Sequence, residues 1–171
     1  MKVVAVGALL LALSACTGDD GGGRSELLVL GATSLTGAFT EIEAAFEAAN
    51  PAIDVVLTFD SSSTLAGQVA EGAPAGVLAT ADEATMATAV DSGEVAGNPV
   101  LFAANTGVLA HPVGNDAVIA PEDLEDDGVL LAVCAPEVPC GVVDRSMFEA
   151  LGIDPQIDSD EENVGAVLTK L

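Results

Sequence analysis

Apolar runs and helix-periodic stretches alternate along the first hundred residues. "ELLVL" (26–30) is a short continuous apolar run closed by Gly31, the pattern of a strand buried on both faces. From Phe39 the period lengthens. Phe39, Ile42, Phe46 and Ala49 recur along one side and Glu41, Glu43 and Glu47 take the other, which predicts an amphipathic helix. Asn50-Pro51 stops it, because a proline ring disfavours α geometry in the residue before it. "IDVVLTF" (53–59) reads as a second strand, and "DSSSTLAGQVAEGAP" turns into a helix ending near Gly72. "AGVLATAD" (75–82) is a third strand, followed by a helix in "DEATMATAVDSGEVAG" with Met86 and Val90 facing inward. Strand and helix in strict alternation predict an α/β fold with a parallel sheet covered on both faces.

The second half is less regular. "NPVLFAANTGVLAHP" (98–112) is apolar but interrupted at Ala103–Gly107, and reads either as a strand pair or as a crossing between two lobes. Pro121 opens a short acidic helix, and "GVLLAVCAP" is a buried strand. "CGVVDRSMFEALGI" is a helix with Val143, Met147, Phe148 and Leu151 on one side. In "SDEENVGAVLTKL", Val164, Val167, Leu168 and Leu171 form a last stripe, and Ser159 and Glu162 stand at capping-box spacing. That stripe runs to the final residue, so the chain reads as cut within its second lobe. No internal repeat is visible.

Charge changes the picture. There are 27 Asp+Glu against 4 Lys+Arg, a net charge of −23, and such a surface repels the phosphates of nucleic acid. Half of the residues are apolar, enough to build a core and to exclude a disordered acidic tail. Salt screens the repulsion of a small anion beyond roughly 8–10 Å. Any anion site must therefore work at short range.

"MKVVAVGALLLALSAC" carries one Lys, an apolar run too short to span a bilayer, and small residues ending in Cys16. This reads as an export signal over 1–16 whose ending resembles a bacterial lipobox, with lipidation on Cys16. The protein is then expected on the extracytoplasmic face of the membrane, held by its N-terminal lipid. The Gly/Asp-rich residues 17–26 read as a tether. Cys134 and Cys140 remain, and export favours a local disulfide between them. Two metal ligands or two free core thiols are the alternatives, but a single His argues against zinc, which takes four N or S ligands.

Three loops share one design, in which a strand is followed by small or hydroxyl residues and then a helix: 31–36 (GATSLT), 60–65 (DSSSTL) and 134–141 (CAPEVPCG). In open parallel sheets such loops gather at the carboxyl ends of the strands, where ligands bind. Helix N-termini there expose unpaired N–H groups, and Ser34 and Ser62 would add hydroxyls. Each serine could equally be a simple N-cap. A serine hydrolase would need a base beside its nucleophile; the one His, His111, precedes Pro112 in an apolar stretch, and no G-x-S-x-G word occurs. Calcium binding or an acidic surface-interaction role is the other alternative, yet "DSDEEN" lacks the alternating loop of a calcium site.

"ATSLTGAFTEIEAAFEAANP", "FDSSSTLAGQVAEGAPAGVLATADE" and "CAPEVPCG" together resemble the molybdate-binding proteins of bacterial ABC importers, with similar spacing from Leu27 to Leu171. The resemblance implies a two-lobed α/β fold of the type II periplasmic binding proteins, incomplete at the C-terminus, with a first lobe over 27–104 and a partial second lobe over 105–171. It implies a monomeric binding protein, no enzyme and no cofactor, that passes molybdate or tungstate to a membrane permease. The oxyanion is held without counter-charge. Carried over by motif, Ser34 and Ser62 give hydroxyls, Cys140 gives a backbone N–H where the family usually has Ala, and Val164 gives another at a helix start. A Tyr hydroxyl usually comes from a later strand, and this chain has no Tyr. Gly76 stands where the family often has Asp. A helix capped by Ser159 would bury the Val164 N–H in its second turn, so the role at Val164 requires a later helix start.

Overall fold

The computed structural model describes residues 23–171; residues 1–16, read above as an export signal ending in Cys16, and most of the 17–26 segment lie outside the described residues. β1 (Ser25–Ala32) is central in a three-stranded parallel sheet, between β2 (Ile53–Asp60) and β3 (Val77–Ala79). β1 begins one residue before the "ELLVL" run, because Ser25 pairs with Ile53. After β1 come a 3-10 turn (Thr33–Leu35) and α1 (Thr36–Ala49); α2 (Ser62–Ala70) follows β2 and α3 (Glu83–Asp91) follows β3. A second parallel pair, β4 (Ala132–Cys134) with β5 (Ser159–Glu161), carries α4 (Pro139–Leu151) and α5 (Val164–Leu168). A 3-10 turn at Pro121–Glu125 leads into it.

Each sheet has its own core. Leu30 of β1 packs with Leu65, Ala66 and Val69 of α2 and Ala89 of α3, all buried. Small residues at Ala66 and Ala89 let the two helices sit close to the sheet. On the opposite face Gly31 lets the Phe59 ring approach, since a Cβ there would lie 3.1 Å from the ring. In the second unit Leu124, Leu131, Val133 and Ile153 form the core, with Phe148 of α4 against it.

One expectation from the hydrophobic pattern is corrected, and one open alternative is decided. The α1 stripe does not reach a core: Ile42 is 57% exposed and Phe46 37%, and no α1 residue is buried. α1 lies against β2 through its Glu47 side instead, where the carboxylate accepts the Val55 N–H at 2.8 Å and pairs with Arg24 at 3.0 Å. Of the two readings of residues 98–112 the crossing holds: they form no strand and run exposed from the first sheet to the second, and Phe102 touches Phe39 with ring centroids 6.1 Å apart.

The Val55 N–H, with Arg24 behind it, holds the Glu47 carboxyl below the usual carboxylate range. A lowered folded-state pKa contributes stability that is full above the unfolded value, near 4.3, and is lost as pH falls through the folded one. Asp123, which accepts the Ile119 and Ala120 N–H groups, and Glu161, which accepts from Ser159 and Lys170, shift in the same direction. The melting temperature is therefore expected to be flat from pH 7 to about 5 and to drop below about pH 4.3. Thermal melts of Glu47→Gln across that range check the assignment, since the amide keeps an acceptor for Val55 but cannot titrate, and its drop should be shallower.

Candidate functional site

Every strand of both sheets is followed by a helix start, so the helix N-termini gather at the carboxyl ends of the strands. The local bonding follows one rule. At α2, Ser61 is the N-cap, and its Oγ accepts the Thr64 N–H at 3.3 Å. At α5, Asn163 is the N-cap, and its Oδ1 accepts the Ala166 N–H at 3.0 Å. In each case the cap takes the third helical N–H and leaves the first two, Ser62 and Ser63 or Val164 and Gly165, without an intrahelical partner. At α4, Val138 is the N-cap and has no side-chain cap bond; Pro139 occupies the first position and Cys140 the second.

Ser34 sits in the middle of the 3-10 turn after β1 and is exposed, while Ser62 opens α2 and is buried. The N-cap reading of "DSSSTL" belongs to Ser61 and not to Ser62. Ser62 Oγ instead accepts the Ala81 N–H at 2.9 Å, joining the β2–α2 junction to the β3–α3 junction. That bond uses an oxygen lone pair, so the Ser62 hydroxyl proton stays available as a donor. Cys134 and Cys140 are joined by a disulfide (S–S 2.08 Å), and the helix carrying Cys140 starts directly beyond it. The capping box expected at Ser159 does not form. Ser159–Glu161 pair with Ala132–Cys134 as strand, and the helix starts at Val164, so the Val164 N–H lies in the first turn.

Ladder register and two contacts bring these starts together. β1 and β2 run in step to Ala32 beside Asp60, placing the Ser34 and Ser62 turns next to one another. β4 and β5 run in step to Cys134 beside Glu161, and the Ala135 N–H extends the ladder to the Glu161 carbonyl at 2.8 Å. Between the sheets, Ser63 Oγ donates to the Glu137 carbonyl at 3.2 Å. Gly165 lies so close to Thr33 that a Cβ would stand 2.6 Å from its methyl group. The α5 start thus abuts the Ser34 turn, and the α2 start abuts the loop leading to Cys140. A cleft of about 260 Å³ runs alongside, walled by Ser63, Asp82, Thr85, Glu137, Pro139 and Val142. Another of about 370 Å³ lies by Phe148 and Ile153. None of Ser34, Ser62, Cys140 and Val164 lines either cleft.

The electrostatics are uneven in a specific way. An acid in a first helical turn is stabilising, and this chain has acids in excess. Yet the turn after β1 and the first turns of α1, α2, α4 and α5 hold none; the α3 first turn holds Glu83. Cations are absent from these starts as well. Among the described residues Arg24 pairs with Glu47 and Asp54, Arg145 with Asp160, and Lys170 with Glu161. The Ser159 hydroxyl, then Lys170, hold the Glu161 carboxyl below its ordinary range. The arrangement offers hydroxyls, N–H groups and positive helix ends with no charged side chain in those first turns, the nearest carboxylate at α2 being Asp60, which accepts the Ser61 N–H at 2.6 Å; this suits an anion that accepts hydrogen bonds on every side.

Reading the sequence missed several residues that build this geometry. Ser61 and Asn163 carry the actual caps, signalled only by standing directly before a helical period. Asp144 and Arg145, which grip Cys134, stand in α4 with no motif to mark them.

Comparisons with known proteins converge. The molybdate-binding protein ModA of Mycobacterium tuberculosis (strain H37Rv) is 41% identical over 159 residues, covering 92% of this chain and 60% of the relative. ModA of Escherichia coli K12 is 31% identical over 157 residues, covering 84% and 60%. The chain thus spans 60% of the length of these curated relatives. The fold resembles the solved Azotobacter vinelandii periplasmic molybdate-binding protein, with a TM-score of 0.62 at 20% identity over 84% of this chain and 65% of that one. The model of the bacterial extracellular solute-binding proteins matches residues 27–171. With strands, helix starts and matched span in agreement, the chain belongs to that family of solute-binding proteins, which are not enzymes.

Proposed function

We propose that the chain captures a fully ionised tetrahedral oxyanion, molybdate or its near-equal tungstate, outside the cytoplasm and delivers it to an ABC importer permease. The observation that carries this reading is the absence of acids from the first turns of α1, α2, α4 and α5 in a chain of net charge −23. Ser34 and Ser62 donate hydroxyl protons, and Cys140 and Val164 donate backbone N–H groups. No cofactor takes part. Residues 27–104 and 105–171 act as two lobes around the ion, the protein works as a monomer, and Cys16 carries a lipid that holds it at the membrane surface.

Neutral donors explain selectivity better than a cation would. A lysine or arginine attracts any anion. A shell of fixed donors accepts an ion that is all acceptor and penalises a protonated phosphate, whose own hydrogen meets a donor head-on. Charge-assisted bonds contribute about 1.5–3 kcal/mol each. Five to seven of them, the four named here together with further donors, less ordering costs, reach the roughly 8 kcal/mol of micromolar binding.

The test is a thermal-shift and calorimetric panel of molybdate, tungstate, sulfate and calcium. Stabilisation by the first two, and little by the others, is expected; a response to calcium alone would support the acidic interaction module instead. Val164→Pro sharpens the test. Proline is accepted at a first helical position, and Asn163 before it is already extended (φ −161°, ψ 165°). The variant deletes one N–H and leaves the helix, so affinity should fall about tenfold or more with the melting temperature nearly unchanged.

A further inference from the structure

The start of α4 is fixed differently from those of α2, α3 and α5; like α1, which follows a 3-10 turn, it has no side-chain cap bond. α2, α3 and α5 are capped by the side chains of Ser61, Asp82 and Asn163, whereas Val138 caps α4 with no side-chain bond. A helix end without a cap frays. What ties this end down is covalent: Cys140, in the first turn, is bonded to the buried Cys134 at the end of β4, with Cα atoms 5.6 Å apart. Cys134 is itself held on both sides. Its N–H donates to Asp144 Oδ2 at 3.0 Å, and its carbonyl accepts Arg145 Nη1 at 2.7 Å. The same guanidinium reaches Asp160 in β5 at 2.7 Å, four residues before Val164.

We propose that the Cys134–Cys140 disulfide is a positioning device that sets the size selectivity of the anion site. It replaces the missing cap and locks the Cys140 N–H at a fixed distance from the donors at Ser34, Ser62 and Val164. The inference rests on the oxyanion reading given above. With the bond intact, the shell is rigid and matched to a large tetrahedral ion, and sulfate, being smaller, leaves donors out of reach. With the bond open, the first turn of α4 moves, binds the large ion less well and adapts to the smaller one.

Calorimetry with molybdate and sulfate on the oxidised protein, on the protein reduced with dithiothreitol, and on Cys134→Ala tests this. The dithiol supplies two electrons and two protons, closing to its own cyclic disulfide as the protein bond opens to two thiols. Reduction is expected to weaken molybdate binding about tenfold, as for one weakened charge-assisted bond, while sulfate changes by less than about threefold, so their ratio collapses. Faster amide exchange at residue 140 should accompany it, with the amides of Ser62 and Val164 unaffected. Unchanged affinities and an unchanged ratio would overturn the proposal and leave the oxyanion reading standing. Loss of all binding together with melting of the second sheet would assign the bond to folding and also overturn it. Absence of molybdate binding by the oxidised protein would defeat the oxyanion reading itself, and this inference with it. If Cys134→Ala does not fold, the reduced native protein decides.

Discussion

Molybdate affinity is expected to fall by roughly 10²- to 10⁴-fold when Ser34 and Ser62 are both changed to alanine, since each hydroxyl contributes about 1.5–3 kcal/mol to a charged acceptor. The single variants separate binding from folding. Ser34 is exposed, and its hydroxyl makes no hydrogen bond that the fold needs, so Ser34→Ala should change stability by no more than about 0.5 kcal/mol. Ser62 is buried and accepts the Ala81 N–H. Ser62→Ala should therefore cost about 1–2 kcal/mol of stability in addition to affinity, because it leaves that N–H without its partner. Calorimetry paired with thermal melts reads both. Equal affinity for the native and doubly substituted chains would remove the serines from the site.

Gly141→Ala is expected to be the most destabilising single change in the second sheet unit. A Cβ at this position would stand 1.9 Å from the Ala135 carbonyl oxygen and 2.6 Å from its carbon. Both are backbone atoms, held by the Ala135 N–H bond to Glu161 on one side and the neighbouring disulfide on the other, so no side chain can swing away. Overpacking in a fixed surround costs about 1–3 kcal/mol and sometimes more. For a chain of this size that corresponds to a melting temperature lower by roughly 2–12 °C. Gly67→Ala is the matched control, since nothing lies within 4 Å of its Cβ position and alanine is the better helix former. A Gly141→Ala protein that melts with the native one would show that the α4 start and the 134–135 backbone are not in contact.

The first sheet was legible in the sequence because its signals agree with one another. "ELLVL" and "IDVVLTF" are continuous apolar runs, Asn50-Pro51 closes α1, and hydroxyl residues open α2; strand, period and breaker all point the same way. The failures have tertiary causes. The Ile42–Phe46 stripe has helical period and forms a helix, but periodicity says only that a face is apolar, not that something covers it. Residues 98–112 have strand composition without strand structure, since Gly107 and the prolines at 99 and 112 interrupt them and no strand among the described residues pairs with them. At the α5 start, two local signals competed. Ser159 and Glu162 spell a capping box, and Asn163 is an equally good cap; pairing of Ser159–Glu161 with β4 chose the later one. That choice is invisible locally, because it depends on a strand some 25 residues away.

The site was legible as a set of words and not as a geometry. The hydroxyl-rich turns could be picked out as helix starts, but their approach to one another rests on contacts such as Ser63 with Glu137 and Gly165 with Thr33, far apart in the chain. Arg145, to which no motif drew attention, binds the Cys134 carbonyl and Asp160. Its engagement leaves the donors beside it neutral.

The most direct measurement is a titration of the isotope-labelled chain with molybdate, followed by the backbone amide resonances. The signals of Ser34, Ser62, Cys140 and Val164 are expected to move together and saturate with one common dissociation constant, with sulfate and phosphate producing little at equal concentration. Shifts confined to other residues, or resonances at these four positions that stay in place while molybdate binds, would contradict the claim that uncharged donors at the helix starts hold the ion.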